Sequence, residues 1–183
     1  MYRFAYNIPF SELVLLLAIF CLIWCFMKDQ MNGRKPLLWK LSQCFLLIIC
    51  LMLFLYVSLL RQTNTLEPQW PQIFWSYRLA FLKGSYDHFQ EIYLNILSFF
   101  FISLFASELF CTRRGKVVAF FACVALSISV ECTQYIFSLG LAEADDIISN
   151  VLGSLFGVLF NVYGYWLYRA TIQVIKKWKN RKR

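Results

Sequence analysis

The stretch SISVECTQYIFSLGLAEADDIISNVLGSLFG, Ser127 to Gly157, decides how the rest of the chain is read. Glu131, Gln134, Asp145, Asp146 and Asn150 stand here between two of the most apolar segments of the sequence. Their spacing is helical. Ser127, Glu131, Gln134 and Ser138 fall on one face of a helix, and Asp146, Asn150, Gly153, Gly157, Asn161 and Gly164 fall on one face of the next. The local expectation is two apolar helices joined by a short acidic loop, each carrying a hydrophilic stripe.

The chain around this stretch is 60% hydrophobic and 19% aromatic over 183 residues. Soluble domains are closer to half apolar, and a membrane span needs about 20 mostly apolar residues. Five segments meet that need: Pro9–Met27, Leu37–Leu60, Ile92–Phe110, Val117–Leu139 and Asp146–Tyr168. The fold is therefore expected to be all-α, a polytopic transmembrane helical bundle of about five spans, forming one membrane domain over residues 1–183. Only Arg3 precedes the first span, and no small-x-small cleavage site follows it, so it is read as an uncleaved span rather than a signal peptide.

Charge placement sets the expected orientation. Lys28, Arg34, Lys35 and Lys40 follow span one, and Arg113, Arg114 and Lys116 follow span three. The tail 169–183 holds Arg169, Lys176, Lys177, Lys179, Arg181, Lys182 and Arg183, while the other side has only Arg3, Arg61, Arg78 and Lys83. Basic residues collect on the cytoplasmic side, which puts the N-terminus outside and the C-terminus in the cytoplasm. The net charge of +8 thus reads as topology and inner-leaflet anchoring, not nucleic-acid binding. Cys21, Cys25, Cys44, Cys50, Cys123 and Cys132 fall in spans and Cys111 near the cytoplasmic face, which argues against a disulfide framework or a zinc site.

The outer loop 61–91 begins polar and turns aromatic. Phe74, Tyr77 and Phe81 recur at helical spacing among Trp70, Trp75 and Tyr86, which predicts a short interfacial helix on the outer leaflet. Such a helix either anchors the loop or covers a ligand. His88, the one histidine, reads as solvated.

At 1.5 Å per residue, Glu131 lies about 10 Å below the outer end of its span and Asn150 about 6–8 Å below the end of the next. Asn95 sits about one turn into span three, on a stripe with Glu91 and Ser98. Three spans thus bring acids and amides to one depth. A carboxylate in hydrocarbon is costly, so Glu131 is expected to face the bundle interior. There it would accept hydrogen bonds from Gln134, Asn95 or Asn150, pair with Arg61 or Arg78, or take up a proton. Gly153-x-x-x-Gly157 allows two helices to approach closely. Asp145 is expected to cap its own helix, leaving Asp146 for the stripe. Glu143 reads as solvated, and Glu108 as a partner of Arg113 or Arg114. The binding candidates are Asn95, Glu131, Gln134, Asp145, Asp146 and Asn150, with Arg78 at the rim. The alternative is a hydrogen-bonded clamp between helices that holds no ligand.

These residues carry a resemblance. Glu131, Gln134, Asp145, Asp146, Asn150, Gly153 and Gly157 match the C-terminal signature of the VanZ-like membrane proteins. Asn95, Ile96, Leu97 and Phe99 of IYLNILSFFFISL resemble that family's Asn-Ile-Leu-x-Phe segment. Two positions depart: Phe101 and Ser103 stand where the family often has Pro-x-Gly, and Leu141-Ala142 where it often has an Arg. The resemblance implies a bacterial integral membrane protein. The family takes its name from a member linked to resistance against teicoplanin, a lipid-tailed glycopeptide, and no settled chemistry comes with the name. The implied partners are membrane lipids and a lipoglycopeptide antibiotic or cell-wall lipid intermediate.

Three functions follow from the sequence. The first is non-enzymatic binding of an amphiphile at the outer leaflet. The second is a metal-dependent enzyme acting on an envelope lipid, for which Glu131, Asp145 and Asp146 offer oxygen ligands suited to Mg²⁺ or Ca²⁺. The chain has no HExxH, no GxSxG and no phosphate-cradling glycine loop, so no catalytic residue and no cofactor is assigned. The third, a transporter, would need paired repeats that the sequence lacks.

Overall fold

The computed structural model describes residues 10–31, 36–60, 73–110, 112–139 and 142–181. Every element among them is helical: α1 (Phe10–Met31), α2 (Pro36–Leu55), α3 (Trp75–Phe81), α4 (Tyr86–Leu109), α5 (Arg113–Phe137), α6 (Ala144–Leu159) and α7 (Tyr165–Arg181). Short π-helical turns follow α2 (Tyr56–Leu60) and α6 (Phe160–Gly164). Four helices, Pro36–Leu59, Tyr86–Leu109, Arg113–Phe137 and Ala144–Trp178, are long and apolar enough to cross a membrane. The first expected span is also helical, as α1, but is not among those four.

Two helix boundaries differ from the sequence reading. α4 begins at Tyr86, inside the segment expected to be loop, because Gly84 at φ 65° turns the chain and Ser85 adopts an extended N-cap. The positive φ is one that glycine reaches without steric cost. The helix at the other end of the chain continues past Tyr168 to Arg181, so the basic tail is helical over most of its length. Arg3, Arg34, Lys35, Arg61, Trp70, Cys111, Leu141, Lys182 and Arg183, and the first part of the outer loop, lie outside the described residues.

The chain falls into two compact units, Lys40–Tyr163 and the pair of segments Met1–Trp39 and Gly164–Arg183. In the larger unit, α4 and α6 share the most extensive interface, and α5 packs against both. Its core holds Phe54, Phe99, Ile102, Cys123 and Val130, with the Phe54 ring edge-on to Phe99 at 4.9 Å. Between α4 and α6 the interface is made of small residues. A Cβ at Gly153 would overlap the backbone carbonyl of Ile96, and one at Gly157 would overlap Phe100 O and Ser103 Oγ. Helices in lipid gain little from the hydrophobic effect, so close backbone contact of this kind is what holds them together. Ser103, Ser107, Ser149 and Ser154 are fully buried and return their hydroxyls to carbonyls one turn back, which leaves no donor stranded.

The outward faces carry large apolar side chains: Phe45, Met52, Phe121, Ile136 and Phe137 are each exposed. An exposed apolar surface of this extent suits contact with lipid rather than water. In the smaller unit, Lys28 is buried with its Nζ 4.7 Å above the Trp24 ring and 4.9 Å from that of Tyr165. Asp29 accepts a hydrogen bond from Tyr165 Oη at 3.0 Å and lies 3.5 Å from Arg169 Nε, tying α1 to α7.

Candidate functional site

The polar stripes meet where α5 ends and α6 begins. Ser138 closes α5 in a left-handed conformation (φ 52°), and Leu139 N–H bonds back to Gln134 O at 3.0 Å. After the short connection, the chain re-enters with Glu143 in an extended conformation at the head of α6. This turn brings Glu143 N–H to Glu131, whose Oε2 accepts it at 2.8 Å. Glu131 is 3% exposed, so this backbone donor reaches a carboxyl that water hardly touches. Among the described residues, Gln134, Asn95 and Asn150 do not donate to it, and Arg61 lies outside them. Arg78 is exposed on α3 and, among the described residues, forms no ion pair with Glu131.

Asp145 has a different task from the one expected. The N-cap of α6 is Glu143, with no side-chain cap bond, and the Asp145 carboxylate turns instead to α3. Its Oδ1 accepts Phe74 N–H at 2.6 Å and its Oδ2 accepts Ser76 N–H at 2.8 Å. It therefore caps the N-terminus of α3 while standing in the first turn of α6, where both helix dipoles favour negative charge. Phe74 occupies the left-handed region at φ 66°, a strained place for an aromatic residue, and the Asp145 bond holds it there. Glu143 is not free in solvent either: it is half-buried and accepts from Ser76 Oγ. Tyr77 completes the fastening through its hydroxyl, 2.8 Å from Ser149 Oγ. Burial, with Asp145 and Asp146 nearby, pushes the Tyr77 hydroxyl above the usual phenol range, so it stays a neutral hydrogen-bonding group.

Asp146 keeps its place on the stripe and takes a hydrogen bond from the Asn95 side chain on α4. Glu131, Glu143 and Glu91 lie near enough to one another or to Asp146 for a charge on one to disfavour a charge on the next. One turn deeper, Asn150 Nδ2 donates to Ser127 Oγ at 2.9 Å, joining α6 to α5. Gln134 Nε2 donates to Ser58 O at 2.9 Å, in the π-helical turn after α2. The second atom of each amide, Asn150 Oδ1 and Gln134 Oε1, is buried without a partner among the described residues. Asn95, Glu131, Asp146 and Asn150 thus gather around one region. Gln134 borders it, Asp145 is committed to α3, and Arg78 stands apart.

A family model described as VanZ/LLP1 matches residues 12–168. The chain belongs to the VanZ/LLP1 family. No curated protein and no solved structure matches it. In this VanZ/LLP1 chain the acid-amide signature splits into three tasks. Gly153 and Gly157 admit α4, Asp145 fastens α3, and Glu131, Asp146 and Asn150 line the region between α4, α5 and α6.

Sequence reasoning missed Ser76, Tyr77, Ser149 and Ser58 as members of this arrangement. Only the helical spacing of Phe74, Tyr77 and Phe81 hinted that one face of α3 is committed. A second polar network stands at the far ends of the same helices. Asn161 donates to Glu108 Oε2 at 2.7 Å and accepts from Lys116 Nζ. Among the described residues, no three His, Cys, Asp or Glu side chains are arranged to hold a metal ion. Asp145, one of the three candidate ligands, has both oxygens engaged by backbone N–H groups.

Proposed function

We propose that this VanZ-like membrane protein is a five-span bundle that binds an amphiphile at the outer leaflet, without catalysis. In this reading α1 is the first span, the N-terminus is outside, the basic helix α7 lies at the cytoplasmic surface, and α3 rests on the outer leaflet. Fourteen of the eighteen Lys and Arg residues then fall on the cytoplasmic side. The acyl chain of the amphiphile would lie along the apolar helix faces, and its polar head would enter the region bordered by Asn95, Glu131, Asp146 and Asn150. Apolar burial supplies most of the affinity in sites of this type, and a few polar contacts supply selectivity.

The observation that carries the reading is the Oδ1 of Asn150, 2% exposed, without a partner among the described residues and lying beneath acidic side chains that form no ion pair among them. A clamp serving packing alone would satisfy such atoms. The biological role that follows is protection against a lipoglycopeptide such as teicoplanin, or handling of a cell-wall lipid intermediate. The test is growth of a sensitive bacterium in teicoplanin while it expresses the chain, Glu131→Gln or Asn150→Ala at matched membrane levels. Loss of protection by both variants supports the reading; full protection by both defeats it.

A further inference from the structure

Resting on that reading, we infer that the head group this region takes is a primary ammonium, so that the ligand is a cationic or zwitterionic amphiphile. Glu91, Glu131, Glu143 and Asp146 converge from α4, α5 and the head of α6, and none of them forms an ion pair among the described residues. Glu91 is exposed and Asp146 and Glu143 are half-buried, while Glu131 is 3% exposed, so the acids form a graded entrance from rim to floor. His88 stands one turn before Glu91 on α4, with its Nδ1 2.8 Å from Ser85 Oγ.

The second observation is independent of the acids. Asn150 lies one turn below Asp146 on the same face of α6, and its amide reaches across to Ser127, one turn below Glu131. The amide therefore sits under the acid pair, with one N–H given to Ser127 and its buried carbonyl oxygen without a partner among the described residues. A ligand entering here meets the side-chain oxygens of several acids and the open carbonyl oxygen of Asn150. It must bring donors and positive charge. A divalent metal needs several ligands in fixed geometry, which the described residues do not arrange. An ammonium brings three N–H groups on a compact charge, enough for Glu131, Asp146 and Asn150 Oδ1 together. Guanidinium, a planar fork, suits a single bidentate carboxylate better than three acceptors on three sides.

The experiment is native mass spectrometry of the full-length chain released from a neutral maltoside detergent. The protein is titrated separately with dodecylammonium, dodecanol, dodecyl phosphate, ethanolamine and Ca²⁺. The inference expects dodecylammonium to bind at one site, with dodecanol and dodecyl phosphate about tenfold or more weaker. Glu131→Gln and Asp146→Asn are isosteres that keep an acceptor for Glu143 N–H and a partner for Asn95. Each is expected to weaken dodecylammonium about tenfold or more, while exposed Asp87→Asn leaves it unchanged. Equal binding of dodecanol and dodecylammonium overturns the ammonium inference and leaves the amphiphile reading standing. Ethanolamine binding as tightly as dodecylammonium keeps the ammonium site and overturns the amphiphile reading. Calcium binding that displaces the amine overturns the inference in favour of a metal. Absence of binding by every alkyl probe overturns both.

Discussion

Replacing Asp145 with Asn gives the sharpest local test of how α3 is held. The carboxylate accepts two backbone N–H groups, Phe74 at 2.6 Å and Ser76 at 2.8 Å, in a position 2% exposed. Asn offers one carbonyl oxygen, so one of these donors faces the new NH₂ group and goes unbonded. A hydrogen bond to a charged group contributes about 1.5–3 kcal/mol, and loss of a helix cap costs about 0.5–2 kcal/mol. These overlap, because the bond lost is the cap, so the expected cost is about 1.5–3 kcal/mol. The loss is local, since Asp145 joins α3 to α6 and not the core around Phe99. Each 1.4 kcal/mol is tenfold in an equilibrium, so amide exchange of residues 75–81 should accelerate roughly ten- to a hundredfold. Hydrogen exchange with mass detection on full-length protein in nanodiscs reads this directly, with peptides from α4 as the internal control. Exchange in 75–81 within about twofold of wild type would refute the claim that Asp145 fastens this helix.

Other outcomes follow from the same structure. Gly157→Val should destabilise the chain by about 1–3 kcal/mol or more, because the added carbons meet backbone at Phe100 that cannot rotate away; thermal unfolding in detergent checks it. Asn161→Leu should cost about 1–3 kcal/mol by removing the buried amide's bonds to Glu108 and from Lys116, read from the same melt. For topology, single cysteines at Lys83 and Arg113 in a cysteine-free background should react with a membrane-impermeant maleimide only from outside and only from inside, respectively. Lys28→Met should loosen α1 from α7, seen as faster proteolysis or exchange in residues 165–175, since the cation between Trp24 and Tyr165 is lost.

Much of the helical layout was legible because a membrane span has to be long and apolar, and four segments show that plainly. The stripes were legible too, since Glu131 and Gln134, or Asp146 and Asn150, keep a helical spacing whatever surrounds them. Partners were not. Glu131 takes its bond from a backbone N–H twelve positions on, made available only by the turn at Ser138. Asp145 takes its bonds from a helix about seventy positions earlier, and no local pattern encodes such a pairing. Glu143 looked solvated because it follows a polar loop, yet Ser76 covers it. The start of α4 was placed late because Asp87, His88, Gln90 and Glu91 are too polar to signal a span, although Gly84 and Ser85 begin the helix before them. Arg78 is a cation near an acidic stretch in sequence, and in the structure it is exposed on α3 with no ion pair to the acids among the described residues.

The central claim is that α4, α5 and α6 turn their polar faces toward one another. Its most direct measurement is cross-linking of cysteine pairs in a cysteine-free chain. Ser127 and Asn150 side chains are 2.9 Å apart, so the pair Ser127→Cys and Asn150→Cys should join readily on mild oxidation or with a short bifunctional reagent. Ile128 and Phe156, both exposed, should give no link as the pair Ile128→Cys and Phe156→Cys. A link through 128 and 156 with none through 127 and 150 would mean that the hydrophilic faces look away from each other, and the account would fail.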